Sequence, residues 1–294
     1  MIYLIISIFF YSLNNLLWKK MLQKFNPWFL MSVRALITSM IGLIIIIIFY
    51  PNLFNQIDLQ SFLLVTSASV SGALGLICMI SALRYGTLRQ LGIFNLITIL
   101  FTIAYLLLFE NFILLDYLSG TFLILIGFII YILQIKKQSK GEYDLKVLLN
   151  YTLMSFFFAS SGIIHWNNLK KSIPPIFSVV NQELIVFVIC SLVLLSSTST
   201  KYVNFNIIKM VSKTYKQLIC MALLIVVAVW TSFLGLKVTN PFLASLLSLI
   251  TPIQTILLGV FFNNEKYNHR IILAIFFMII GAYVLHLNLD NILI

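Results

Sequence analysis

Apolar residues run along this chain in blocks of about twenty, separated by short stretches of charged and turn-forming residues. A helix needs about 20 mainly apolar residues to cross the hydrocarbon of a bilayer, and ten blocks reach roughly that length. They run from Ile2 to Trp18, Trp28 to Tyr50, Ser61 to Leu83, Leu91 to Phe109, Phe112 to Ile135, Val147 to Leu169, Pro175 to Ser197, Gln217 to Leu236, Pro241 to Phe262 and His269 to Leu287. Strands of a membrane barrel would alternate in polarity over about ten residues, and Ile44 to Ile48 break that alternation. The pattern therefore predicts an all-α integral membrane protein with ten transmembrane helices. The first block reads as a retained helix and not a cleaved signal, since no basic residue precedes it and Lys19 and Lys20 follow it.

Composition removes the soluble alternatives. Of 294 residues, 61% are hydrophobic and 9% charged, against about 25% charged in soluble proteins, so a water-facing surface cannot be covered. The net charge of +11 does not point to nucleic acid, because the basic residues sit between apolar runs, where they mark membrane sidedness. The partners this implies are the lipid bilayer and a small molecule.

The polar linker 138–146 divides the chain near its middle, and the halves resemble each other. Leu96-Ile97-Thr98-Ile99 matches Leu249-Ile250-Thr251-Pro252 at a separation of 153, and Glu110 matches Glu265 at 155. Gly127 matches Gly281 at 154, and Lys19-Lys20 matches Lys170-Lys171 at 151. Five spans per half is an odd number, so the second copy enters the membrane from the opposite side. Residues 1–137 and 147–294 are thus expected to form two inverted five-helix repeats, an arrangement that can open a central site to alternate faces.

Ten spans in two five-span halves, Lys19 closing the first span, Arg34 early in the second, Glu110 and Glu265 beyond polar-spotted helices and glycine in each last helix (Gly127, Gly281) resemble the EamA-type members of the drug/metabolite transporter superfamily. The resemblance covers nearly the whole chain. It implies a secondary transporter and not an enzyme, multi-pass in a bacterial inner membrane, exporting small organic metabolites such as amino acids; drugs, sugars or lipid-linked intermediates are the alternative cargo. It also implies a substrate site among the first, third, fourth, sixth, eighth and ninth helices. Where the family carries a proline in the fourth span as well as the ninth, this chain has Ile99 opposite Pro252.

Charges inside spans are the sharpest residue-level signals, because each costs at least about 2.5–3.5 kcal/mol at mid-helix and faces a cavity or a partner. Glu183 lies about 12 Å along its helix from Pro175. It is a candidate to bind a proton or a substrate amine, or to form a structural pair. Arg34 lies about 9 Å inside the second span. It is a candidate clamp for a substrate carboxylate or, paired with Glu183, a lock. Asn14, Asn15 and Trp18 in the first span and His165, Trp166, Asn167 and Asn168 in its repeat mate suggest two walls of one cavity, with interhelical hydrogen bonding as the alternative. Trp18 and Trp166 also suit an interfacial anchor, whereas Trp230 lies deeper and suggests a cavity wall.

Pro252 removes the donor that would satisfy the Ser248 carbonyl. With Thr251, Gln254, Asn95 and Thr98 it suggests a second lining patch. Ser67, Ser71 and Gly75 form a stripe suited to close helix packing. Gly120, Gly127, Ala274 and Gly281 permit close pairing, with a monomer and a homodimer both open.

Other chemistries lack their residues. Cys78, Cys190 and Cys220 fall inside spans without disulfide or redox spacing, and His165, His269 and His286 are scattered without zinc spacing. No glycine loop for phosphate occurs, so no nucleotide cofactor is expected. A membrane enzyme would need paired acids or a nucleophile with its base in one cavity, and only Glu183 and His165 are deep enough to serve.

Alternate breaks carry unequal charge. One face collects 15 of the 19 Lys and Arg residues, the other only Lys170, Lys171 and Lys237. The positive-inside rule then places both termini outside the cytoplasm, opposite to the cytoplasmic termini the resemblance implies. A reporter fused after Ile294 and active only in the cytoplasm is expected to stay silent; activity there would reverse the assignment.

Overall fold

In the computed structural model, the described residues are all but 24, 54–56, 84–87, 135–144, 172, 197–204, 264–268 and 293–294, with the side chains of 83, 88–92, 134, 205–213, 263 and 289–292 also left aside. Glu265, most of the 138–146 linker and the side chains of Lys24, Arg84, Arg89, Lys136, Lys137, Lys140, Lys201, Lys209, Lys213 and Lys266 lie outside that set.

The first half contains α1 (Ile2–Met21), α2 (Pro27–Phe49), α3 (Leu59–Leu83), α4 (Leu88–Phe109), a 3-10 turn at Leu114–Tyr117 and α5 (Leu118–Gln134). The second contains α6 (Leu145–Lys170), α7 (Pro175–Ser196), α8 (Phe205–Val238), α9 (Pro241–Ser248), α10 (Ile250–Asn263) and α11 (His269–Ile292). No strand occurs among the described residues. Among the described residues, nine stretches are long and apolar enough to cross a membrane, one of them spanning both α9 and α10, and the shorter apolar stretch Ile93–Phe109 of α4 supplies the tenth.

Local chemistry sets several helix ends. Asn26 caps α2 by accepting a 2.9 Å hydrogen bond from the Trp28 N–H, and Asn240 caps α9 by accepting one of 2.9 Å from the Leu243 N–H. Both are followed by proline, whose fixed φ and missing N–H suit the first helical position. At the far end of α4, Asn111 adopts φ 49, a conformation asparagine tolerates better than most residues. The Phe112 N–H then reaches back 3.4 Å to the Leu106 carbonyl and closes the helix.

Two boundaries differ from the sequence expectation. The eighth helix begins at Phe205, not Gln217. The stretch from Phe205 to Lys216 holds no proline or glycine, and nothing in it stops a helix growing back from the apolar span. The ninth span is divided at Leu249, three residues before Pro252, as expected where the ring displaces the preceding turn. Its repeat mate α4, with Ile99 in place of proline, is described as one continuous helix.

Helix pairing carries the inverted symmetry. The mates α2 and α7 pack on each other, as do α5 and α11. The packing of α3 on α6 is matched by α8 on α1, that of α3 on α7 by α8 on α2, and that of α4 on α6 by α9 and α10 on α1. Each of these contacts thus has its counterpart when the halves are exchanged. The large apolar side chains at the periphery, such as Ile44, Ile47, Ile48 and Phe49 on α2, face outward where lipid solvates them.

Glycine sets the closest approaches. A Cβ at Gly127 would stand 2.5 Å from the Ala274 carbonyl oxygen, and one at Gly281 would stand 2.7 Å from that of Gly120. The small residues considered for pairing between copies are therefore used inside the chain, between α5 and α11. On α3 the packing stripe is Ala68, Ser71, Gly72 and Gly75: Ser161 donates 2.8 Å to the Ala68 carbonyl and Ser71 donates 3.0 Å to that of Phe157, while Ser67 faces outward. Gly127→Leu is expected to force α5 from α11 and destabilise the protein by about 1–3 kcal/mol, lowering its melting temperature in detergent; an exposed control such as Leu133→Ala is expected to leave it unchanged.

Candidate functional site

Between the halves lies a cavity of about 1020 Å³, lined from α1, α2, α3, α6, α7 and α8. Leu22, Asn26 and Lys146 line its mouth, at the helix ends that carry the basic face, and Tyr11 and Phe158 lie at its inner end. The side chains follow helical periodicity: Asn14, Asn15, Trp18 and Tyr11 on α1, Met31 and Arg34 on α2, and Gln182, Glu183 and Val186 on α7.

Arg34 and Glu183 meet here, with Nη2 3.0 Å from Oε2 and side-chain exposures of 5% and 3%. The ion pair joins α2 to α7, the two mates that pack on each other, so it lies where the repeats are related. It is incompletely satisfied. Arg34 Nη1 and Asn14 Oδ1 are both buried without a hydrogen-bond partner, and an unmade bond of this kind costs about 1–3 kcal/mol, more for a charged group. A guanidinium with a free prong in a cavity offers a ready site for a carboxylate.

A second cavity of about 270 Å³ lies deeper, toward the opposite face, lined by Asn95, Thr98 and Thr102 of α4, His165 of α6, Phe233 and Leu236 of α8, and Pro241, Ser245 and Ser248 of α9. Tyr11, Phe158, Gln182 and Val229 line both cavities. They come from four helices, well inside the span of each, and form the wall between the two spaces. Beyond the smaller cavity, contacts join the helix ends of the opposite face. Lys170 Nζ donates 2.9 Å to Glu110 Oε2 and lies 3.3 Å from the centre of the Trp166 ring. The Trp166 indole N–H donates 3.0 Å to the Thr239 carbonyl, and the Asn167 amide donates 2.9 Å to the Tyr105 hydroxyl.

The expected single cavity with two matching walls is thus two cavities. Asn14, Asn15, Trp18, Arg34 and Glu183 line the larger; Asn95, Thr98, His165 and Ser248 line the smaller. Trp166 and Asn167 bond near the opposite face. Trp230 packs against the apolar core, because Ile225, Val229, Ser232, Phe233 and Leu236 form the cavity face of α8 and position 230 is rotated off it. Thr251 and Gln254 hold α1 instead: Ser12 Oγ donates 3.2 Å to the Thr251 carbonyl and lies 3.4 Å from Gln254 Oε1. Pro252 acts by interrupting that helix. Tyr11 and Gln182 are lining residues that sequence reasoning passed over, although Gln182 stands beside Glu183 on a helix read as cavity-facing. The helices implied by the resemblance omit α2 and α7, which supply the charged pair.

The sequence matches the EamA-like transporter family over residues 1–133 and again over 146–287. The chain belongs to that family. No curated protein matches it. Among solved structures 25 chains match, and one, described only as the crystal structure of a protein, aligns with a TM-score of 0.78 at 14% identity, covering 99% of this chain and 97% of that one. At that identity the likeness speaks for the fold. The transporter is a multi-pass membrane protein whose two family-matching segments correspond to the two five-helix halves. Among its described residues no cluster of His, Cys, Asp or Glu is arranged to hold a metal ion.

The ion pair makes a thermodynamic prediction. Removing one partner strands a buried charge, which costs about 3–5 kcal/mol, so Arg34→Met and Glu183→Met are each expected to lower the melting temperature strongly. The double variant should recover most of that loss. Additive losses in the double-mutant cycle would show that the two residues act independently.

Proposed function

We propose that this transporter exports small organic metabolites carrying both an ammonium and a carboxylate, amino acids and close relatives foremost, by alternating access. The observation that carries the reading is the buried Arg34–Glu183 pair facing a cavity of about 1020 Å³, with the second guanidinium nitrogen unpartnered. A zwitterion matches that pair group for group. Its carboxylate accepts from Arg34 and its ammonium donates to Glu183, replacing a contact between two residues with two contacts to cargo. The exchange keeps the cavity electrically neutral, which matters where an isolated charge is costly. Asn14, Asn15, Asn150 and Gln182 supply further hydrogen bonds around the same space.

The basic face is assigned to the cytoplasm by its excess of Lys and Arg. The larger cavity then opens inward, while contacts such as Lys170–Glu110 join the helix ends of the other face, an arrangement suited to loading an exporter from the cytoplasm. The wall of Tyr11, Phe158, Gln182 and Val229 opens as the basic face closes. Glu183 couples the cycle to a proton: a proton taken up by its carboxylate from the far side ends its contact with the substrate ammonium as the cargo departs, and that proton is given up on the loading side when Glu183 pairs again with Arg34.

The test is export from cells lacking their main exporters, challenged with inhibitory amino acids, amino-acid analogues and cationic drugs. Protection against the amino acids is expected, together with loss of that protection in Glu183→Gln. Counterflow in proteoliposomes should depend on pH in the wild type. A Glu183→Gln protein that transports with unchanged pH dependence would remove the proton from the mechanism. Protection confined to cationic drugs would overturn the zwitterion reading in favour of a multidrug carrier.

A further inference from the structure

The smaller cavity has a chemistry of its own. Its described lining contains no Asp, Glu, Lys or Arg, yet it gathers Asn95, Thr98, Thr102, His165, Gln182 and Ser245. His165 is 1% exposed, and neither Nδ1 nor Nε2 has a hydrogen-bond partner. Its ring is held against Phe233 at 4.6 Å between centroids, which fixes its orientation. Thr98 Oγ1 is likewise buried and unpartnered, whereas Thr102 and Ser245 pair with each other at 3.2 Å. Buried polar groups are nearly always bonded, so a histidine with both nitrogens idle, lining the same cavity as an idle hydroxyl, points to a ligand.

That ligand group is uncharged. A carboxylate or ammonium moved into this space would lose its hydration with no opposite charge to meet it. An imidazole offers one donor and one acceptor, and the threonine hydroxyl can do either, a set matched to a hydroxyl or a carboxamide. Size agrees: about 270 Å³ is the share of about nine water molecules in the liquid, enough for a small polar side chain and too little for a drug-sized ligand. Gln182 lines both cavities and stands next to Glu183, so once the wall of Tyr11, Phe158, Gln182 and Val229 opens, a group entering the smaller cavity can belong to a molecule whose charged end lies at the ion pair.

We infer that the smaller cavity is a second binding station that selects hydroxyl- or carboxamide-bearing cargo, with His165 and Thr98 as its specificity-determining groups. The inference rests on the zwitterion reading of the larger cavity and narrows it to amino acids with short, uncharged, hydrogen-bonding side chains.

The experiment is counterflow in proteoliposomes of the full chain with four labelled probes: L-serine against L-2-aminobutyrate, and L-asparagine against L-leucine, pairs of similar shape that differ in the polar group. The wild type is expected to favour each polar probe by about tenfold in kcat/KM, since a site built to hydrogen-bond a group discriminates against ligands that lack it. His165→Phe should collapse that ratio about tenfold while leaving the apolar probes within about twofold of wild type. His165→Gln, which keeps a donor and an acceptor, should retain much of the preference and guards against a folding defect. A wild type without preference, an undiminished ratio in His165→Phe, or a parallel loss for all four probes would overturn the second station and leave the larger cavity's reading standing. Transport of none of the four by the wild type would overturn both.

Discussion

A guanidinium and a carboxylate placed separately in the apolar interior of a membrane protein would each be too costly to keep; placed 3.0 Å apart they become tolerable. Arg34 is on α2 and Glu183 on α7, so this electrostatic requirement fixes which helices meet and at what height. Around it the hydroxyl contact between Ser32 and Ser191 at 2.7 Å and that between Asn181 and Thr66 at 3.1 Å join further residues of the same helices and α3. The seam between the halves is therefore polar at its centre and apolar toward lipid. That polar centre is also why a cavity can persist there: a fully apolar seam would pack shut, as α5 and α11 do through Gly120, Gly127 and Gly281.

Two of the helix pairs that cross the pseudo-symmetry axis thus have opposite roles. One, built on glycine, brings backbones close enough that a single added carbon would meet a carbonyl. The other is held by a pair of charges with a guanidinium nitrogen still unsatisfied. Rigidity at one pair and an incomplete ion pair at the other allow the bundle to be anchored at one edge and responsive at its centre. Contacts on the opposite face, from Lys170 to Glu110 and from Trp166 to Thr239, connect ends of helices that meet the smaller cavity, so changes there reach the same space.

The gross architecture was legible because lipid imposes a length and a composition on each span, and the parity of five spans implies inversion. The Arg34–Glu183 contact was legible as one of two alternatives, because charges so deep must find partners. Division of the space into two cavities was not. It depends on the rotation of α1 and α6, which decides that Asn14 looks one way and His165 another. Helix rotation is set by packing, and all-round apolar helices such as α4 offer almost no amphipathic signal to read. Trp230 illustrates the same gap: one residue of offset, a turn of 100°, separates it from the cavity-lining Val229. The start of α8 was missed because polarity was taken as a break, whereas backbone geometry was indifferent to it.

One inequality between the halves has a kinetic meaning. In an inverted repeat the two end conformations are related by exchanging the halves, and ideal copies would give them equal free energy. Here α4 is continuous through Ile99 while its counterpart is split at Leu249 into α9 and α10. In the alternating-access cycle proposed above, the two conformations would therefore place unlike helices in equivalent roles, and their free energies would differ even without a gradient. The empty protein would then have a preferred resting side, and one of its two reorientation steps would be uphill.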